Sequence, residues 1–251
     1  MAVADTLYQQ QQYFEAAVFC ERVLFEQDND TVIEKAVLLE IQCFKKQQEF
    51  AKAARFIQSV QQRIHSDSLQ RILYYELVTN YYLAGDFENA LAIIDRVGIL
   101  YTDYRYKGWM NLLKILSLNE LQRWNEAAIT YKQQAAGAGN TLPDYYAHLP
   151  RLKSEERAGW LATFIPGAGH FYAGKTWEGL ASIVIQGIGV YYGVISFRDK
   201  YYISAWLMGA GIAGSFHMGG VRRSQELVRI YNRREVGAFN EKVKQALLNK
   251  W

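Results

Sequence analysis

The first half of the chain repeats one apolar pattern four times. The strings are Tyr13-Phe14-Glu15-Ala16-Ala17, Glu49-Phe50-Ala51-Lys52-Ala53, Asp86-Phe87-Glu88-Asn89-Ala90 and Arg123-Trp124-Asn125-Glu126-Ala127. Their aromatics, Phe14, Phe50, Phe87 and Trp124, are spaced 36, 37 and 37 residues apart, and an alanine follows each by three: Ala17, Ala53, Ala90 and Ala127. Nine residues before each alanine stands Tyr8, Phe44, Tyr81 or Leu118. An aromatic and an alanine three apart share one helix face, and the alanine lets a partner helix approach closely. The residue nine positions upstream sits on the preceding antiparallel helix. One such hairpin cannot bury its apolar faces alone, whereas a stack can. The pattern predicts an all-α array over residues 1–134, curved, with the four aromatics equivalently buried. Gln9-Gln10-Gln11-Gln12 and Ala84-Gly85-Asp86 serve as turns, and the first repeat lacks part of its first helix.

The pattern stops at Ala135-Ala136-Gly137-Ala138-Gly139-Asn140-Thr141-Leu142-Pro143, with Pro150 soon after. Clustered Gly and Pro mark a boundary, so 135–157 reads as a linker ending in the charged run 151–157. From Ala158 the composition changes. Thirteen of the chain's 19 glycines lie between Gly159 and Gly220, and the runs Gly179–Phe197 and Tyr201–Val221 carry no charge. As helices they would be about 28 and 31 Å long, enough to cross a bilayer core. Arg198-Asp199-Lys200 is the polar turn between them, and Trp177, Tyr191, Tyr192, Tyr201, Tyr202 and Trp206 stand mostly near their ends, as interfacial aromatics do. Small residues recur four apart, Gly189 with Gly193, Ala205 with Gly209 and Ala213, and Ala210 with Gly214. Such rows let backbones touch in lipid, so Gly189, Gly193, Gly209 and Gly214 are the expected helix–helix contacts and can also carry an oligomer. The alternative is a buried pair of helices in a soluble domain.

The repeat pattern resembles the tetratricopeptide repeat over roughly residues 5–134, most closely in Leu83-Ala84-Gly85-Asp86-Phe87-Glu88-Asn89-Ala90-Leu91. It departs from that family in its longer period and in lacking the terminal proline. The resemblance implies a groove that binds a protein or peptide partner, with no chemistry of its own. A purely structural spacer is the alternative. Before the first uncharged run stands Pro166-Gly167-Ala168-Gly169-His170-Phe171-Tyr172-Ala173-Gly174-Lys175. This string, over about residues 158–220, resembles the short two-transmembrane-helix domains of bacterial envelope proteins. The motif residues are Pro166, Gly167, Gly169, His170, Phe171, Tyr172 and Gly174, and the resemblance implies an envelope location, an inner membrane above all, without an established activity.

Charge sharpens this division. Residues 1–157 carry a net −3, 158–221 a net +1 and 222–251 a net +5. A basic segment directly after an apolar run suits anionic lipid headgroups, and nothing interleaves aromatics and Arg as a nucleic-acid surface would. Residues 222–251 read as a basic amphipathic helix, with Leu227, Ile230 and Tyr231 on one face. It lies on a membrane surface or packs on the repeats. By the positive-inside tendency the tail is cytoplasmic, and the repeats with it. Ala2-Val3-Ala4 before Asp5 has the look of a cleavage-site remnant, which would place the repeats on the other side.

Chemistry is sparse. Gly169 to Thr176 satisfies the G-x-x-x-x-G-K-[ST] formula, but a phosphate cradle needs a strand before it and a parallel sheet around it, and no βαβ alternation is present. His65, His148, His170 and His217 lack partners at metal-ligand spacing. His170 and His217 flank the apolar runs and can meet in space. Cys20 and Cys43 read as small core residues. The chain therefore reads as a non-enzymatic, cofactor-free membrane scaffold that binds a protein partner and membrane lipid but no nucleic acid. The rivals are a nucleotide-binding protein, a channel or transporter component, and a soluble adaptor.

Overall fold

A computed structural model of the protein describes residues 1–101, 107–137 and 144–249, and among them all regular structure is helical. Contacts divide the chain into two units, Met1–Ala147, joined by the chain end from Leu247, and His148–Ala246.

The first unit is a succession of helices: α1 (Ala2–Gln9), α2 (Tyr13–Glu26), α3 (Asp30–Lys46), α4 (Phe50–Gln61), α5 (Asp67–Leu83), α6 (Phe87–Leu100), α7 (Lys107–Glu120) and α8 (Trp124–Gly137). Each packs on the next as a helical hairpin. Short polar side chains start several of them. Asn29 accepts from the N–H groups of Thr31 and Val32, Ser66 from Leu69 and Asp86 from Asn89, satisfying donors that the first helical turn leaves free.

The turns inside the hairpins share one geometry. The N–H of Gln12 donates to Leu7 O, Glu49 to Phe44, Asp86 to Tyr81 and Arg123 to Leu118, at 2.8–2.9 Å. The residue before each of these donors, Gln11, Gln48, Gly85 or Gln122, is left-handed, with φ of 58–78°. This is the closure in which a left-handed residue returns N–H groups to the last free carbonyls of a helix. The turns fall every 37 residues without exception.

That spacing corrects the register of the first repeat by one residue. Tyr13, not Phe14, matches Phe50, Phe87 and Trp124 as the opening residue of α2, α4, α6 and α8. Ala16, Ala53, Ala90 and Ala127 are all 0% exposed, and Leu7 takes the place expected for Tyr8. Phe14 is 60% exposed, whereas Phe50, Phe87 and Trp124 are half-buried, so the four named aromatics are not equivalently buried. Ala17 is buried beside Ala16. Adjacent aromatics and adjacent alanines left the pattern ambiguous there, and the left-handed Gln11 decides it. One turn further, Cys20, Ile57, Ile94 and Tyr131 are all buried at the same 37-residue interval.

A left-handed conformation costs a residue with a Cβ roughly 1–2 kcal/mol, while glycine adopts it freely. Gln48→Gly should therefore stabilise the chain by about 0.5–1 kcal/mol after the added freedom of the unfolded state is subtracted. Gly85→Ala should destabilise it by at least as much. Denaturant titration checks both signs.

The expected linker is shorter than 135–157. Helix α8 runs to Gly137, and residues 138–143 of the Gly/Pro stretch lie outside the described residues. Tyr145–Ala147 is a 3₁₀ turn packed on α8, with the Tyr146 hydroxyl donating to Asn119 Oδ1 at 3.0 Å. Residues 155–157 already belong to a helix capped by Ser154.

The second unit comprises α9 (Glu155–Phe164), α10 (Ala168–Tyr172), α11 (Thr176–Arg198), α12 (Tyr202–Ala205), a π-helical segment Trp206–Ala213, and α13 (Gly214–Leu248). The turn at Arg198-Asp199-Lys200 repeats the closure seen above: Lys200 is left-handed at φ 68°, and Tyr201 N–H reaches Ser196 O at 2.8 Å. Helix α11 packs on α12 and on the π-helical segment. No break separates 201–221 from 222–251. No proline interrupts the chain there, and α13, which begins at Gly214 inside the apolar run, continues into the basic segment. Near its start the basic segment packs on its own unit: Leu227 and Val228 are buried with Ala158, Ala173 and Tyr172, whereas Ile230, expected on the apolar face, is 46% exposed.

Candidate functional site

Among the described residues, two regions carry buried polar groups at candidate sites: a groove in the first unit and the junction at the Pro166–Gly174 string in the second. The first lies between α2 and α4 over α3. Phe14, Val18 and Glu21 form one wall, Lys52, Arg55, Phe56 and Ser59 the other, and Glu40 and Phe44 the floor of a groove of about 470 Å³. Glu40 is 3% exposed, and its Oε2 has no hydrogen-bond partner. Burial first, and then the neighbouring Glu21 carboxylate, push its pKa up to about 8 against a weaker opposing pull from Lys52. Glu40 is thus held toward its protonated, neutral form on the floor of the groove. Lys52 lies 4.7 Å over the Phe44 ring. The wall residues Phe14 and Val18 are 60% and 48% exposed, so apolar surface faces the opening. Periodicity could not reveal Glu40, because no other repeat carries a carboxylate at that position.

The second place is built on the Pro166–Gly174 motif. Pro166 forces the preceding residue out of helical geometry, and Ile165 is extended (φ −129°, ψ 110°), which ends α9. Gly167 is left-handed at φ 81°, and a Cβ there would strike the carbonyl of Gly179. A Cβ on Gly169 would strike the carbonyl of Ala158 and lie 2.7 Å from Ser224 Oγ. Phe171 covers Gly179, whose own Cβ would come within 2.9 Å of that ring. Tyr172 binds the approach to α9 through its hydroxyl, which accepts from Ser154 N–H at 3.0 Å, and through its carbonyl, which accepts from Lys153 Nζ at 2.9 Å. Asn232 of α13 clamps the Lys153 backbone from the other side with bonds of 2.9 and 2.8 Å. Gly174 takes the left-handed place in the closure that joins α10 to α11. The motif therefore ties α9, α10, α11 and α13 together through points of backbone contact. Gly169→Ala should cost about 1–3 kcal/mol by overpacking, while Gly187→Ala, where a Cβ meets nothing, should be neutral or slightly stabilising. Thermal unfolding of the two variants compares them directly.

His170 sits inside this junction, 4% exposed, with Nδ1 unpartnered. Burial holds its pKa below the ordinary imidazole value. The first part of the phosphate-loop-like string, residues 169–172, lies in the helix Ala168–Tyr172, and Gly174 and Lys175 form the turn into α11. Among the described residues no group of His, Cys, Asp or Glu is placed to hold a metal ion. Cys20 and Cys43 are fully buried, and desolvation pushes their thiols up to about 12 and about 11.

Helix α11 reverses the usual arrangement of a soluble helix. Its buried residues are Gly179, Gln186, Gly189 and Gly193. Its large apolar residues are exposed, among them Val184 at 58%, Ile188 at 52%, Val190 at 55% and Val194 at 63%. Gly193 meets Gly209 backbone to backbone: a Cβ on Gly193 would lie 2.9 Å from Gly209 Cα. Gly189 faces Ala213 at 3.1 Å in the same sense. Gly214 meets nothing, so Ala213 takes the role expected of it. Halfway along α11, Gln186 donates to Ser182 Oγ at 2.8 Å and its Oε1 lies 3.1 Å from His217 Nδ1. His217 thus meets Gln186, while the His170 ring lies 3.6 Å from the place of a Cβ on Gly220. Among the described residues α11 alone is long and apolar enough to cross a membrane.

No family model matches this chain, and no curated protein or solved structure matches it either.

Proposed function

We propose that this protein is a membrane-integrated scaffold: its glycine-rich unit sits in a bilayer, and its helical repeats hold a protein partner. The observation that carries the reading is the inverted burial of α11, with glycines and Gln186 inside and branched apolar side chains outside. In water that exposed surface would be costly. In lipid it is the expected solution, because helices there associate through small residues and buried hydrogen bonds rather than by hiding apolar area. The tetratricopeptide-like reading of the first unit rests on four turns of one geometry at 37-residue intervals. The α2–α4 groove supplies the partner site, with exposed Phe14 and Val18 as apolar contacts and the neutral Glu40 as a polar anchor. Lys175 belongs to the membrane boundary in this reading, and the second helix of the membrane unit is the run from Tyr202 into α13. The resemblance of the Pro166–Gly174 string supports a bacterial envelope membrane as its location.

Carbonate extraction of membranes from cells making the full chain tests the first half. Protein that stays with the pellet supports integration; complete release removes it and leaves a soluble adaptor. A photo-crosslinking residue at Val18, compared with one at exposed Phe25, tests the second. One discrete adduct from position 18 alone is expected. Identical adduct patterns from both positions would count against the groove.

A further inference from the structure

The second unit holds an open cleft of about 560 Å³ between α11 and α13 that neither the motif nor the glycine contact explains. Its polarity is graded along its length. At one end Arg223 binds Glu178 with two hydrogen bonds of 2.9 and 3.2 Å. Both side chains remain accessible, at 50% and 38%. Beside them lies His170, 4% exposed and with its Nδ1 unpartnered. One to two turns further along α11 the walls become mainly apolar, with Ala181 and Ile185 on α11 and Phe216 and Gly219 on α13, interrupted by the hydroxyls of Ser182 and Ser215. From Glu178 to Ile185 the helix rises about 10 Å. The flanking surface is apolar as well, with Trp177 83% exposed, Leu180 46% and Met218 64%.

We infer that this cleft binds one phospholipid with a phosphoethanolamine headgroup, the phosphate on Arg223, the ammonium on Glu178 and an acyl chain along Ala181, Ile185, Phe216 and Gly219. The inference rests on the membrane reading above. Charge complementarity selects the headgroup. A carboxylate and a guanidinium side by side, each with free hydrogen-bonding capacity, present one partner for each charge of a zwitterion. A purely anionic headgroup would leave its negative charge beside Glu178. A quaternary ammonium would give Glu178 no N–H donor. The graded walls set the orientation, with the acyl chain running toward the Gln186 end.

The test is native mass spectrometry of the full chain, purified in a mild detergent and mixed with equal amounts of phosphatidylethanolamine, phosphatidylglycerol and phosphatidylcholine. Expected is one retained lipid per chain, with phosphatidylethanolamine favoured about tenfold over either competitor, the ratio that one charge-assisted contact supports. Ala181→Phe and Gly219→Phe each fill the cleft and should lower retention about tenfold. Glu178→Gln should keep a bound lipid but erase the preference over phosphatidylglycerol. That readout survives if a cleft-filling variant fails to fold. Equal retention of the three lipids, preference for phosphatidylglycerol, or undiminished binding in folded Ala181→Phe overturns the inference. Carbonate extraction of the membranes from which the chain is purified separates the two readings. A chain that resists extraction but shows no selectivity refutes the lipid site alone. A chain that is released but still selects phosphatidylethanolamine refutes membrane integration alone.

Discussion

Replacing Glu40 by glutamine should leave stability near pH 5 almost unchanged and raise it increasingly toward pH 8. The sign follows from the direction of the shift. Glu40 has an ordinary pKa of 4.5 and is held at about 8 in the folded protein, chiefly by burial and secondarily by Glu21. Below pH 4.5 both folded and unfolded chains carry the proton, and the acid adds no pH dependence. Between 4.5 and 8 the unfolded chain releases the proton while the folded chain keeps it, so stability falls as pH rises, at about 1.4 kcal/mol per unit. Above 8 the loss is complete, at roughly 5 kcal/mol as an upper bound. Glutamine cannot titrate, so Glu40→Gln removes the slope and leaves a constant offset for the amide's extra donors. The charged groups around the groove are Glu21, Lys52 and Arg55, and only Lys52 opposes the shift. Melting temperature against pH for the two proteins checks the claim. Parallel curves would show that Glu40 is charged in the folded state.

The helices of the first unit were legible because their spacing obeys two rules at once: the 3.6-residue turn within each helix and the 37-residue step between hairpins. What the spacing could not resolve was the first hairpin. Tyr13-Phe14 and Ala16-Ala17 offer two registers of equal hydrophobicity, and the choice depends on a backbone closure that places Gln11 in the left-handed region. Glutamine gives no sequence signal for that conformation, whereas Gly85 does. Glu40 was invisible for a related reason. It stands among apolar positions of α3, and only the cavity between α2 and α4 shows that its carboxyl lacks a partner.

In the second unit the apolar runs were plain but their ends were not. The sequence pattern separates Tyr201–Val221 from the basic segment by charge, yet charge alone does not stop a helix, and α13 continues through both. The Pro166–Gly174 string was legible as a motif and opaque in meaning. Its glycines mark contacts with the Gly179 and Ala158 carbonyls, partners that lie 12 and 11 residues away in sequence and that no local rule identifies. His217 was singled out in the sequence but its partner was not, because its contact with Gln186 joins positions 31 residues apart.

A leucine at Gly193 should unfold or splay the glycine-rich unit, while a leucine at Gly187 should not. Both glycines lie in α11, so both substitutions gain similarly in helix propensity, about 1 kcal/mol. Their surroundings differ. A Cβ at Gly187 meets nothing within 4 Å, whereas one at Gly193 falls 2.9 Å from Gly209 Cα and 3.2 Å from its nitrogen. The obstacle at Gly193 is backbone, which cannot swing aside as a side chain can. Three further carbons of leucine must then separate α11 from the Trp206–Ala213 segment. Overpacking a close contact costs about 1–3 kcal/mol, and separation here also pulls on the Gln186–His217 and Gln186–Ser182 hydrogen bonds, whose loss would strand polar groups at mid-helix depth. The combined expectation for Gly193→Leu is a loss of about 3 kcal/mol or more, against a neutral or slightly positive effect for Gly187→Leu. Unfolding of the full chain in detergent, followed by cysteine cross-linking between Ser196 and Ile203 near the connecting turn, reads stability and separation together. Equal stability of the two variants would mean that Gly193 and Gly209 are not in contact, and the inverted burial of α11 would then need another cause.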